Sequence, residues 1–203
     1  MNRYKTIYAD PPWAEFGGGK IVRGAQRHYP LMRTEEVCRL SVDGVPVKQL
    51  AEDNAHLYLW VTNNFMPDGL QVINAWGFRF VTVITWVKGK ATAIAGEEFF
   101  EPDRFGLGQY FRGITEHMLF AVRGNLPYRT RIVDGKEKRA QGKTLIYSPR
   151  GEHSEKPEEA RQMIELVSHP PYIELFARKQ VPGWTVWGNQ ANEPSEPEPG
   201  SLF

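Results

Sequence analysis

Apolar residues in this chain fall into short, separated runs. Residues 4–9, 56–62, 78–87, 117–123, 172–177 and 184–187 are rich in β-branched and aromatic side chains, which predicts strands. Residues 145–147 are read as one more short strand. The run 56–62 is apolar at nearly every position, as expected of a central strand covered on both faces. Helical signals lie between these runs. Thr34 is placed to cap a short helix reaching Leu40, with Glu35 and Glu36 well placed in its first turn. Pro67 opens a second helix, with Leu70, Ile73 and Trp76 near a 3.6-residue period, and Gly77 ends it. Pro157, Glu158 and Glu159 open a third, running to about Val167.

Strands alternating with helices predict an α/β fold built on a mainly parallel sheet. Only Arg178 to Gly183 separate the last two strands, so an antiparallel edge hairpin is expected there. Two long irregular stretches interrupt the pattern. Residues 11–30 hold Gly17, Gly18, Gly19 and Gly24 without helical periodicity. Residues 89–113 are glycine-rich and carry Phe99, Phe100, Phe105, Tyr110 and Phe111. A loop of about 25 residues inside a compact domain is usually functional when it occurs.

Composition narrows the class. At 203 residues, one domain with a substantial core is expected. No apolar run reaches the ~18 residues of a membrane span, and the N-terminus lacks a signal-peptide layout. The single Cys38 has no partner for a disulfide or a CxxC site; it reads as a half-buried helix residue in a reducing, cytoplasmic protein. The net charge of +1 does not advertise nucleic-acid binding, but its distribution does more. From Arg123 to Arg150 there are eight basic residues against Asp134 and Glu137, a segment suited to phosphates or simply to solvent. The stretch 191–203, with three acids, three prolines and no base, is expected to be a disordered tail. His153 and His169 lie far from any cysteine or paired carboxylate, so no metal is expected.

The residues richest in chemistry are Asp10, Pro11, Pro12 and Trp13, where the first strand gives way to a loop. Read alone, they could be a polyproline turn leaving a strand. They also suit a grip on a flat ring bearing an amino group. Asp10 and the Pro11 carbonyl can accept the two N–H bonds of an exocyclic amine, and Trp13 can stack on the ring.

The wider pattern decides between these readings. Beyond Ala9-Asp10-Pro11-Pro12-Trp13 the chain has Tyr29-Pro30-Leu31-Met32, Leu59-Trp60-Val61-Thr62, Trp86-Val87-Lys88 and Thr115-Glu116-His117. It continues with Ser154-Glu155-Lys156-Pro157, Glu174-Leu175-Phe176-Ala177-Arg178 and Trp187-Gly188-Asn189-Gln190. In order and spacing these resemble the MT-A70 family of S-adenosylmethionine-dependent adenine N6-methyltransferases over roughly residues 4–190. The resemblance implies a Rossmann-like class I methyltransferase fold with permuted motif order, the catalytic strand preceding the cofactor strand. It places Asp10, Pro11, Pro12 and Trp13 in catalysis. It assigns Asp10, Lys156, Arg178, Asn189 and Gln190 to S-adenosylmethionine, and Tyr29, Trp13 and Lys88 to the substrate. Trp60 and Trp86 are expected in the core, and His117 in a structural or dimer-face role.

Two departures limit what carries over. Lys179-Gln180-Val181 stand where the messenger-RNA enzymes have Pro-His-Asn, and only three residues precede Tyr4. The expectation is therefore a compact enzyme of bacterial or phage type, without an accessory nucleic-acid-binding domain. Its substrate is expected to be DNA, held by residues 13–33, 89–113 and 123–150. RNA methylation and a non-catalytic nucleic-acid-binding subunit stand as alternatives, and a homodimer is left open.

Overall fold

The computed structural model describes residues 2–14, 30–94, 97–103, 110–151 and 155–188. Its elements run in the order β1 (Tyr4–Ala9), α1 (Thr34–Cys38), β2 (Ser41–Val42), β3 (Val45–Pro46), α2 (Val47–Leu50) and β4 (Ala51–Val61). A single 3-10 turn (Asn63–Phe65) leads into α3 (Met66–Ala75), β5 (Arg79–Ile94), β6 (Glu97–Pro102) and β7 (Thr115–Arg123). The chain closes with β8 (Thr130–Val133), β9 (Lys136–Arg139), β10 (Leu145–Ser148), α4 (Glu158–Val167), β11 (Tyr172–Leu175) and β12 (Trp184–Trp187).

One sheet organises the molecule, in the order β10-β5-β7-β4-β1-β11-β12 with β6 paired onto β5. Along that path β7 alone is antiparallel to its neighbours. This is a Rossmann-like, mainly parallel α/β architecture. Side-chain alternation explains its two layers. Ile7, Ala9, Leu57, Leu59 and Val61 face a core completed by Val72, Ile73 and Trp76 around α3. Tyr8, Tyr58 and Trp60 face the other core, with Ala160 and Ile164 of α4. Strand β4 therefore reads as a continuous apolar run because both of its faces are covered.

Three expectations need correction. The last two strands pair in parallel, with Tyr172 beside Trp184 and Leu175 beside Trp187, so there is no antiparallel C-terminal hairpin. Each strand has only four residues and spans about 10 Å. The connection from 176 to 183 can extend well beyond that and carry the chain back to the start of the sheet without a helix. Phe176 (φ 65°) and Gly183 (φ 79°) make the two reversals.

The expected loop at 89–113 is in part a sheet. β5 runs on to Ile94 and β6 folds back on it, with Gly89 beside Pro102 and Lys90 beside Glu101. Gly89 permits the close crossing, since a Cβ there would lie 2.4 Å from Glu101 O.

Helix α1 is capped from Arg33, whose backbone N–H donates to Glu36 Oε2 at 2.6 Å. The Thr34 hydroxyl instead donates to Asp68 Oδ1 of α3 at 2.5 Å. Cys38 is half-buried, as its pattern suggested. The tail 191–203 lies outside the described residues. Among the described residues no helix is long and apolar enough to cross a membrane.

Candidate active site

From β1 the strand order moves through β4 to β7, and from β11 it moves the other way to β12. The boundary between β1 and β11 is thus where the order reverses, and a crevice beyond the carboxyl ends of such strands is where open α/β sheets bind ligands. Asp10 leaves β1 at that point, and its N–H approaches Leu175 O of β11 at 3.5 Å. β4 reaches the same edge at Thr62, and β5 passes it at Lys88. β7 runs the opposite way and begins there, with Glu116 beside Trp86 in the register.

Four charges line up along this edge. Lys156 Nζ donates to Asp10 Oδ2 at 2.6 Å and stands 3.4 Å from Glu116 Oε2. Glu116 Oε1 accepts from Lys88 Nζ. The series Lys88–Glu116–Lys156–Asp10 alternates in sign, and its side chains are only 11–24% exposed. Its floor is aromatic. Lys156 Nζ lies 5.5 Å from the Trp60 ring centre and Lys88 Nζ 4.8 Å from that of Trp86. The two indoles meet edge to face at 6.1 Å. Trp60 and Trp86 are core residues, as expected, whose faces also support the ammonium groups. Each ring is fixed at its nitrogen: Trp60 donates to Tyr8 Oη at 2.8 Å, and Trp86 to Ser148 O at 2.8 Å.

Burial opposes charge here and pairing restores it. Burial is the largest influence on Lys156 and pulls it down, yet the Asp10 and Glu116 carboxylates together hold the ammonium above its ordinary value. Burial pushes Glu116 up most strongly, and Lys156 and Lys88 more than reverse it, leaving the carboxyl below its ordinary range. Lys88 is lowered, because Glu116 offsets only part of its desolvation.

The Asp-Pro-Pro-Trp loop is tied down by backbone bonds. Trp13 N donates to Pro11 O at 2.9 Å, Met32 N to Pro12 O at 2.8 Å, and Ala14 N to Met32 O at 3.0 Å. Trp13 is 7% exposed, stacks on Phe65 at 5.3 Å, and donates from Nε1 to Trp60 O at 3.0 Å. Its ring anchors the loop against the core, rather than offering the open stacking face expected from its sequence position.

On the β11 side, Arg178 is half-buried and close enough to Lys156 for its charge to oppose that ammonium's. The two strand ends nearly touch: Ala177 N donates to Trp187 O at 3.0 Å, and a Cβ on Gly188 would lie 2.2 Å from Ala177 O. Glycine is required for that approach, which brings the segments bearing Arg178 and Gly188 together. Thr62 Oγ1, on the β4 side, is buried without a hydrogen-bond partner among the described residues. A carboxylate, a guanidinium and an ammonium beside a leftover hydroxyl suit a ligand carrying its own ammonium, carboxylate and ribose hydroxyls.

Sequence reasoning missed Glu116, which joins Lys88 to Lys156. The signal was a lone carboxylate at the start of an otherwise apolar strand. His117 beside it bonds Thr85 Oγ1 through Nδ1 at 3.1 Å, consistent with a structural role. Tyr29, Asn189, Gln190 and the glycines at 17–19 lie outside the described residues.

The basic segment is placed differently from expectation. β7 ends at the sheet edge opposite the site. There Arg123 is structural, donating to Lys48 O at 2.8 Å, Gly77 O at 3.1 Å and Trp76 O. The exposed β8–β9 hairpin is rooted at that same edge, where Arg129 N donates to Val167 O at 2.9 Å. Only the β10 end of the segment returns to the site, with Ser148 beside Lys88.

The fold and the edge cluster define a Rossmann-like methyltransferase. The chain belongs to the MT-A70 family, whose profile matches residues 4–190. MT-A70 methyltransferases use S-adenosylmethionine as methyl donor. The chain is similar to the type II methyltransferase M.MunI of a Mycoplasma species, 27% identical over 92% of this chain and 77% of that protein. It is 29% identical to the human N(6)-adenosine-methyltransferase catalytic subunit METTL3 over 94% of this chain. It is also 29% identical to the human N(6)-adenine-specific methyltransferase METTL4 over 92% of this chain. The chain spans 28% of METTL3 and 37% of METTL4.

Proposed function

We propose that this protein transfers the methyl group of S-adenosylmethionine to the exocyclic N6 of adenine in DNA. One observation carries the reading: Asp10, bound to Lys156, stands at the carboxyl end of β1 against the end of β11, where the strand order reverses. DNA is favoured over RNA because the likeness to M.MunI extends over most of both chains.

S-adenosylmethionine, when bound, supplies a methyl group on a positively charged sulfur. Arg178, Lys156 and Asp10 are the described residues that would hold it, with Asn189 and Gln190 assigned by resemblance. The amino group of adenine is a poor nucleophile, because its lone pair is delocalised into the ring. Asp10 accepts one N–H. A carboxylate has about four lone-pair sites, so it keeps acceptor capacity while bound to Lys156. The Pro11 carbonyl, with one lone pair engaged by Trp13 N, accepts the other N–H. The two acceptors pull the nitrogen toward tetrahedral geometry and aim it. No general base is needed, since the methylated nitrogen loses its extra proton readily to water. The adenine must be flipped from a duplex or presented in a single strand.

The test is incubation with tritiated S-adenosylmethionine and matched single-stranded DNA, duplex DNA and RNA, followed by mapping of the labelled bases. Label on adenine N6 in DNA is the expected result. Label in RNA alone replaces the polymer, and no label with no cofactor binding makes the protein a non-catalytic partner.

A further inference from the structure

Two aromatic rings near the mouth of the site are left unused by the fold. Tyr110 is 90% exposed and Phe111 91%, whereas Trp60, Trp76 and Trp86 are buried to 1–2%. Rings of this size are among the largest sources of buried apolar area, so leaving two side by side in water forgoes a substantial stabilisation.

Their place follows from the backbone. Asp103 N donates to Lys88 O at 2.9 Å, and Lys88 N donates to Ile114 O at 2.8 Å. Asp103 and Ile114 are therefore both tied to the sheet at one residue, the lysine that ends the charge series. Phe111 is three residues and Tyr110 four residues from Ile114. At full extension of about 3.5 Å per residue, their Cα atoms lie within roughly 11 and 14 Å of that staple. Arg112 and Arg150 are exposed nearby, and Arg150 N is bonded to Asp103 Oδ2 at 2.9 Å. Flat exposed rings beside cations, next to a site that takes a base, match how single strands are gripped: bases on aromatic faces, phosphates on basic side chains.

We propose that Tyr110 and Phe111 stack on bases flanking the target adenine and hold the strand across the mouth of the site. The inference rests on the nucleic-acid substrate proposed above and assigns the contact that positions it. Stacking uses the π-face that every base shares, so the pair contributes affinity without reading sequence.

The test uses the full chain and a single-stranded oligonucleotide carrying 2-aminopurine beside a methylatable adenine. Wild type quenches the fluorophore. Tyr110→Ala with Phe111→Ala removes the quenching and raises KM for the strand about tenfold or more. Tyr110→Phe with Phe111→Tyr keeps both near wild type, and calorimetry with S-adenosylmethionine shows that the alanine pair remains folded. Unchanged quenching and KM in the alanine pair overturn the proposal. So does a loss of self-association in sedimentation without loss of strand affinity, which assigns the rings to a second copy of the chain. A wild type that methylates no adenine overturns the function above and this inference with it, an outcome distinct from an active enzyme indifferent to the two rings.

Discussion

Lys156 Nζ lies 2.6 Å from Asp10 Oδ2, across 146 residues of sequence. The contact joins the strand that bears the Asp-Pro-Pro-Trp motif to the segment that opens α4. The contact holds Asp10 in the sheet edge, and the mechanism proposed above adds a second task, accepting a substrate N–H. Asp10→Asn keeps the size and removes the charge. We expect kcat to fall by about 10²–10³-fold, as when one preorganised electrostatic contact is lost, with the circular dichroism of the native fold retained. Single-turnover methylation checks it; an activity within a fewfold of wild type refutes the assigned role.

The charge series sets opposite pH limits. Glu116 is held below its ordinary value, so its contribution to stability is present above the unfolded carboxyl pKa and is lost as pH falls through the folded one. Lys156 is held above its ordinary value, so its contribution is present below the unfolded lysine pKa and is lost as pH rises through the folded one. Denaturant unfolding from pH 3 to 11 should therefore show a shallower acid limb in Glu116→Gln and a shallower alkaline limb in Lys156→Met. Limbs that match those of wild type would count against the pairing.

Trp13 is assigned to anchoring. Trp13→Phe keeps a ring against Phe65 and removes the bond to Trp60 O. A cost of about 0.5–1.5 kcal/mol in denaturant stability is expected. KM for nucleic acid should change little. A tenfold rise in KM at unaltered stability would return Trp13 to base stacking.

Gly188→Ala places a Cβ 2.2 Å from Ala177 O and 2.6 Å from Ala177 N, both backbone atoms that cannot turn aside. Overpacking of this kind costs about 1–3 kcal/mol. Because the strain falls where β11 and β12 end, Tm and S-adenosylmethionine affinity should drop together. Gly135→Ala is the control: its φ of 71° strains an alanine in the exposed hairpin, although nothing lies within 4 Å of its Cβ, so Tm should drop while cofactor affinity stays unchanged.

Much of this protein is legible along the chain. The central strands and the longer helices follow from runs of apolar residues, because burial on one or both faces writes a local period into the sequence. The Asp-Pro-Pro-Trp motif suggests its chemistry, and the motifs that follow it in order and spacing decide against a mere polyproline turn. Tertiary structure decided what local pattern cannot carry. Strand direction at β11 and β12 depends on how far the eight residues between them reach, and the chain closed in parallel. The basic character of 123–150 is plain, but its place is set by the antiparallel course of β7, which takes most of it away from the site. Glu116 gained its role when β7 was laid beside β5 and Lys156 reached across to it, an electrostatic arrangement of residues 28 and 40 positions apart. The residue types, in short runs, specified the sheet and its chemistry; contacts between distant segments selected which charges would meet.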